Sequence, residues 1–219
     1  FRIIVDMDNH QAIMNAALLR RMGYPVDMPK HYRNLALRFD TAEQMKNFVE
    51  NFAFETEFSR DRWLKKVDEA NLVVSLQDVN LEAPRMDVPQ FYNGKINTSW
   101  IAGHRAMRGL IIPLMLLDVR LSENSVNIFP WEFARVFAEN IMLSHAYVSA
   151  FKETTYEDAR WAARKIALIG GDGRNLPSVD QAVAEIKAIV DQAGYPEDIA
   201  KLLLQKIIAR RNHMVKIFN

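Results

Sequence analysis

Cysteine is absent from all 219 residues, which excludes disulfide scaffolds, thiolate nucleophiles, iron–sulfur clusters and cysteine-based zinc sites. Any catalysis must rest on carboxylates, histidine, hydroxyls, lysine or tyrosine. The eight glycines form no P-loop, no Gly-x-Gly-x-x-Gly fingerprint and no Gly-x-Ser-x-Gly elbow, so common nucleotide folds and serine hydrolases lack direct support. An excess of charge of one sign is missing too: 28 Lys+Arg stand against 27 Asp+Glu, a net charge of +1, in a chain that is 49% hydrophobic. That balance excludes intrinsic disorder. The most continuous apolar stretch, Leu110 to Leu117, is interrupted by Pro113 and falls far short of the roughly 20 residues that cross a bilayer. No transmembrane helix and no membrane partner are expected. Phe1–Val5 has neither the charged flank nor the long apolar region of a signal peptide, and the lack of cysteine leads to the expectation of a cytoplasmic or other intracellular protein. Internal repeats, low-complexity tracts and sustained heptads are not found.

What is present reads as helix with some strand. Phe1–Val5 is a β-branched run, followed by Asp8 as N-cap and a helix through Ile13, Ala16 and Ala17 that closes at Gly23. Val26–Arg33, with Pro29, reads as loop, and Leu35–Phe39 as a short strand. Asp40-Thr-Ala-Glu43 has the capping-box pattern ahead of Met45, Phe48, Val49 and Phe52. Ser59 precedes Trp63, Leu64 and Val67 at helical spacing, and Leu72–Leu76 is β-like. Residues 80–97 carry Pro84, Pro89 and Asn93-Gly94, which marks an irregular lobe or interaction loop over 80–100 with a hairpin signal inside it. Leu114–Leu121 fits a buried strand or a short buried helix. Pro130 opens a helix that is apolar on nearly every side through Phe151. Thr155–Ile169, a run capped by Ser178-Val-Asp-Gln181, and a last segment from Pro196 complete the pattern. The expected fold is mainly α, or α+β with a minor sheet: a single domain over 1–219 of about seven or eight helices.

The first candidate chemistry is Asp6-Met-Asp8 at the exit of the first strand. Two carboxylates one residue apart at a strand exit can hold Mg²⁺ through hard oxygen ligands, or divide the roles of nucleophile and proton donor. Asp172, in Gly171-Asp-Gly-Arg-Asn175, offers a third carboxylate. Together these fragments resemble the first and last acidic motifs of the haloacid-dehalogenase-like phosphohydrolases. The resemblance implies a parallel sheet, Asp6 as nucleophile, Asp8 as acid/base, and a Mg²⁺ site of Asp6, Asp8 and Asp172. Asn9 and His10 stand where that family has a glycine and a hydroxyl residue, and its middle Ser/Thr and Lys motifs have no unique match. The five histidines are scattered, with no His-x-x-x-His pair to support a zinc hydrolase.

A nucleic-acid reading rests on the last segment, where Lys201, Lys206, Arg210, Arg211 and Lys216 outnumber Glu197 and Asp198; Arg210, Arg211 and Lys216 are its phosphate-binding candidates. The bland alternative is a solvated helix face with cations near its C-terminal dipole. The chain is also rich in large apolar side chains, with 12 Phe, 6 Tyr, 4 Trp and 10 Met, types enriched at interfaces. Phe91, Tyr92 and Trp100 flank the proline-rich loop and are the candidate partner-contacting residues. The leading expectation is a non-enzymatic subunit, needing no cofactor, of a homo-oligomer or larger protein assembly. The alternatives are the Mg²⁺-dependent phosphohydrolase and a nucleic-acid-binding accessory protein, so whether the chain is an enzyme stays open at this level.

Overall fold

The computed structural model describes residues 2–5, 9–24, 26, 28–55, 60–82, 98–117, 120–122, 125–127 and 151–218. It is mainly α with a minor antiparallel sheet, as the residue pattern predicts. Where length alone suggests one domain, the chain divides into two compact units: Phe1–Asn9 with Pro29–Met86, and His10–Met28 with Asp87–Asn219.

The first unit is a sheet with one long helix. Its strands are β1 (Arg2–Ile4), β2 (Lys30–Arg38), β3 (Leu64–Asp68) and β4 (Val73–Glu82). The central strand is β4: β2 runs along one side, and β3 and β1 share the other, with every pairing antiparallel. Helix α2 (Ala42–Glu55) is capped by Thr41, whose hydroxyl accepts the Gln44 N–H at 3.2 Å, one residue later than the Asp40–Glu43 box expected from sequence. Met45, Phe48, Val49 and Phe52 fall on one stripe of α2 and join Trp63, Val74, Leu76 and Val79 in the core.

Two sequence expectations fail here for physical reasons. Trp63, Leu64 and Val67 suggest a helix, yet only α3 (Arg60–Trp63) is helical and Leu64 opens β3. A β-bulge between Leu64 and Lys66 adds one residue to β3, so Leu64 pairs with Leu76 and Val67 with Val74. The extra residue lets two side chains three apart share a face, which imitates helical spacing. Second, β2 begins at Lys30, inside the expected loop, because Lys30–Tyr32 pair with Leu81–Val79. The tertiary partner overrides a polar stretch of low strand signal.

The second unit is helical. Helix α1 (Asn9–Arg21) enters it at His10 and ends in a Schellman motif: Gly23 N–H donates to Arg20 O at 2.9 Å, and Tyr24 N–H to Leu19 O at 3.0 Å. Gly23, at φ +85°, takes the left-handed position that glycine occupies without penalty. The short helices α4 (Thr98–Gly103), α5 (Arg105–Gly109) and α6 (Ile111–Leu117) follow, so Leu114–Leu117 is helical and Thr98 opens a helix. Pro113 sits in the first turn of α6, where a missing N–H breaks no intrahelical bond. The remaining helices are α7 (Tyr156–Ala167), α8 (Val179–Gln192) and α9 (Glu197–Phe218), with capping boxes at Thr155/Asp158 and Ser178/Gln181. Arg120–Ser122 and Ser125–Asn127 form a small hairpin, β5–β6. The core gathers Met14, Leu18, Ile101, Leu116, Ile166, Ile186 and Ile207 from α1, α4, α6, α7, α8 and α9. The expected helix from Pro130 lies outside the described residues, apart from Phe151, which is buried. No described helix is long and apolar enough to cross a membrane.

Candidate functional site

The first unit carries a polar cluster between β2 and β4 that the sequence does not announce. Asn80 donates from Nδ2 to Asn9 O at 3.0 Å, which leaves its Oδ1 to accept from His31 Nδ1 at 3.0 Å. That assignment places the His31 proton on Nδ1 and leaves Nε2 3.8 Å from Asp78 Oδ1. Asn9 in turn donates to Asp78 O at 3.0 Å. Asp78 has φ +50°, which breaks the side-chain alternation of β4: Val74 and Leu76 face the core, and beyond the break Val79 and Asn80 are both buried. The cluster ties the first residue of α1 to the central strand. One histidine and one carboxylate do not make a metal centre, and no group of three metal-binding side chains occurs among the described residues.

The residues singled out from sequence are placed as follows. Asp6 and Asp8 lie outside the described residues, as do Phe91, Tyr92 and the hairpin expected at Asn93-Gly94; Trp100 falls in α4 with its side chain likewise outside. Asp172 is exposed and closes its own loop: Oδ1 accepts the Arg174 and Asn175 N–H groups, both at 2.8 Å, and Oδ2 accepts Asn175 Nδ2 at 3.0 Å. The Asn175 and Arg174 N–H groups hold this carboxyl below the ordinary carboxylate range. Its oxygens thus serve an Asx turn. The antiparallel pairing of β1–β4 is not the parallel sheet that the phosphohydrolase resemblance implies.

The expected solvated basic face of the last helix is corrected by the fold. Arg210 and Arg211 are only 5% and 8% exposed, and Lys206 is fully buried, whereas Lys216 is exposed. Arg211 Nη2 donates to Ala167 O, the last residue of α7, at 2.9 Å, and Arg210 Nη1 reaches Leu116 O at the end of α6 at 3.5 Å. Elsewhere Arg108 Nη1 donates to Ala102 O near the end of α4 at 2.6 Å. Arg21 does the same just past α7, at Leu168 O (3.3 Å) and Gly171 O (2.7 Å). Arginine is the recurrent partner of helix C-terminal carbonyls in this unit, where its charge meets the negative end of the helix dipole. Burial pushes the Arg211 guanidinium down from its ordinary value. Cation counting along the sequence misses this role, because an inward arginine and a phosphate-facing one look alike until the helices are packed.

The densest ionic site among the described residues joins α5 to α7. Asp158 accepts from Arg108 Nε at 2.7 Å and Nη2 at 3.2 Å, with Arg105 Nε 3.6 Å away. The same carboxylate accepts the Thr155 N–H at 3.1 Å and the Thr155 hydroxyl at 2.9 Å. Arg108 first, and Thr155 after it, hold its carboxyl down at about 2 against the opposing effect of burial. Cations of Arg105 and Lys165 lie 5.7 and 4.5 Å from the Trp161 ring centroid. Gly109 allows the close approach, since a Cβ there would stand 3.0 Å from Asp158 O.

On the surface, large apolar side chains are left uncovered. Leu176 and Val179 are 65% and 63% exposed on either side of the α8 cap; Tyr156 (60%), whose ring lies 5.8 Å from that of Phe218, and Ile217 (52%) are exposed as well. No family model matches the chain, and neither the curated proteins nor the solved structures contain a match.

Proposed function

We propose that this protein is a non-enzymatic interaction subunit that assembles with copies of itself through apolar side chains of its helical unit. The observation that carries this reading is the pair Leu176 and Val179, nearly two-thirds exposed and three residues apart beside a helix start. Single surface apolar residues are ordinary, but aliphatic side chains left this bare on both sides of one cap supply what an interface buries. On the same unit Tyr156, in ring contact with Phe218, and Ile217 are further exposed apolar side chains.

The test is the native mass of the purified chain by light scattering across a concentration series, with and without Mg²⁺. An oligomer is expected. Its dissociation is expected when Leu176 and Val179 are both replaced by aspartate. Val179 is the first residue of α8, where a carboxylate favours the helix, so the double variant keeps its fold. A monomer at every concentration overturns the proposal, as does an oligomer indifferent to the double substitution.

A further inference from the structure

The strand β2 forms an edge of the sheet, and its ladder geometry states which backbone groups that edge offers. Phe39 N–H donates to Leu72 O at 2.9 Å, and the register continues as Arg38↔Val73, Leu37↔Val74, Ala36↔Ser75, Leu35↔Leu76 and Asn34↔Gln77. In an antiparallel pair, hydrogen-bonded and non-bonded positions alternate. Phe39, Leu37 and Leu35 therefore spend their N–H and C=O groups on β4, while Asn34, Ala36 and Arg38 turn theirs away from it. Asn34, Ala36 and Arg38 are exposed, and among the described residues no strand pairs with this side of β2. Unpaired edge groups of this kind are a template for another strand.

Charge selects the occupant. β2 contains Lys30, Arg33 and Arg38 and no carboxylate. A second copy is disfavoured: antiparallel pairing of two β2 strands about Asn34 would set Lys30 against Arg38 of the other copy. We propose that the β2 edge accepts an extended acidic segment of a partner protein by strand addition, with Asn34, Ala36 and Arg38 providing the main-chain bonds and the three cations the selectivity. This extends the interaction reading to a second surface and reads out whether or not the chain self-associates.

The experiment measures binding of the full chain to a fluorescent peptide of alternating threonine and glutamate by anisotropy. An alternating threonine–lysine peptide and an oligothymidylate serve as comparators. The acidic peptide is expected to bind in preference to both, and Ala36→Pro, which removes one outward N–H and no β2–β4 bond, is expected to weaken it about tenfold. Because a proline variant can fail to fold, amide hydrogen exchange on the unaltered chain gives a second readout. Peptide addition should slow the Asn34, Ala36 and Arg38 amides, while those of Leu35 and Leu37 are already slow. Binding without that protection overturns the proposal, and so does preference for the oligonucleotide. Absence of binding overturns it as well, leaving the cations as guards against edge pairing. Protection of the three amides by raising protein concentration alone would make the occupant a second copy and equally refute the acidic partner.

Discussion

Replacing Asp158 by asparagine removes one charge from the junction of α5 and α7 and changes little in shape. The carboxyl is buried, bonded by Arg108 and Thr155, and held at about 2 against an ordinary 3.8, a difference worth roughly 2–3 kcal/mol. Because the folded value lies below the unfolded one, this stabilisation is complete above the unfolded value. It fades as pH falls from about 4 through about 2 and is gone only below the folded value, where the carboxyl is protonated in both states. The asparagine variant has no such group. Near neutral pH it should be less stable by roughly 2–3 kcal/mol, since the amide cannot offer two charged acceptors to the Arg108 fork. Urea unfolding of both proteins at a series of pH values measures the gap directly. It should be widest at neutral pH and close toward about pH 2. A gap below about 1 kcal/mol at neutral pH, or one that stays constant through the acid range, would refute the assignment of this carboxylate as the ionic hinge of the two helices.

Gly170 has φ +99° and a Cβ there would lie 2.5 Å from the Ala182 backbone, so Gly170→Ala should cost roughly 2–4 kcal/mol by thermal unfolding. Arg211→Ala leaves Ala167 O without its guanidinium and should cost about 2–4 kcal/mol. Arg211→Lys should recover only part of that, and equal stability of the lysine variant and the parent would count against a fork-specific cap. Deleting Lys65 removes the extra residue of the β3 bulge and leaves Leu64 and Val67 on one face, still opposite Leu76 and Val74, so chemical denaturation should show a loss of no more than about 1 kcal/mol. A loss of several kcal/mol would mean that the extra residue itself is needed to seat Leu64 in the core.

Much of the local structure is written in short patterns. Thr155 with Asp158 and Ser178 with Gln181 name the starts of α7 and α8, and Gly23 and Gly194 follow the ends of α1 and α8. These signals work because capping is satisfied within four or five residues of chain and needs no partner from elsewhere. The absence of cysteine likewise disposes of whole classes of chemistry without any coordinates.

Other properties are set only when distant segments meet. The strand character of Lys30–Tyr32 comes from β4, and the bulge that makes Leu64 and Val67 imitate a helix is visible only in register. His31, Asp78, Asn80 and Asn9 are separated by up to 71 residues and become one cluster because β2, β4 and the start of α1 converge. Arg210 and Arg211 carry the same charge in sequence as Lys216, yet two cap other helices from inside and one faces water. Sequence thus determined where this chain turns, caps and alternates, because those choices are local. Tertiary packing decided which charges are buried and which strand is left as an edge, because burial and pairing belong to two segments at once.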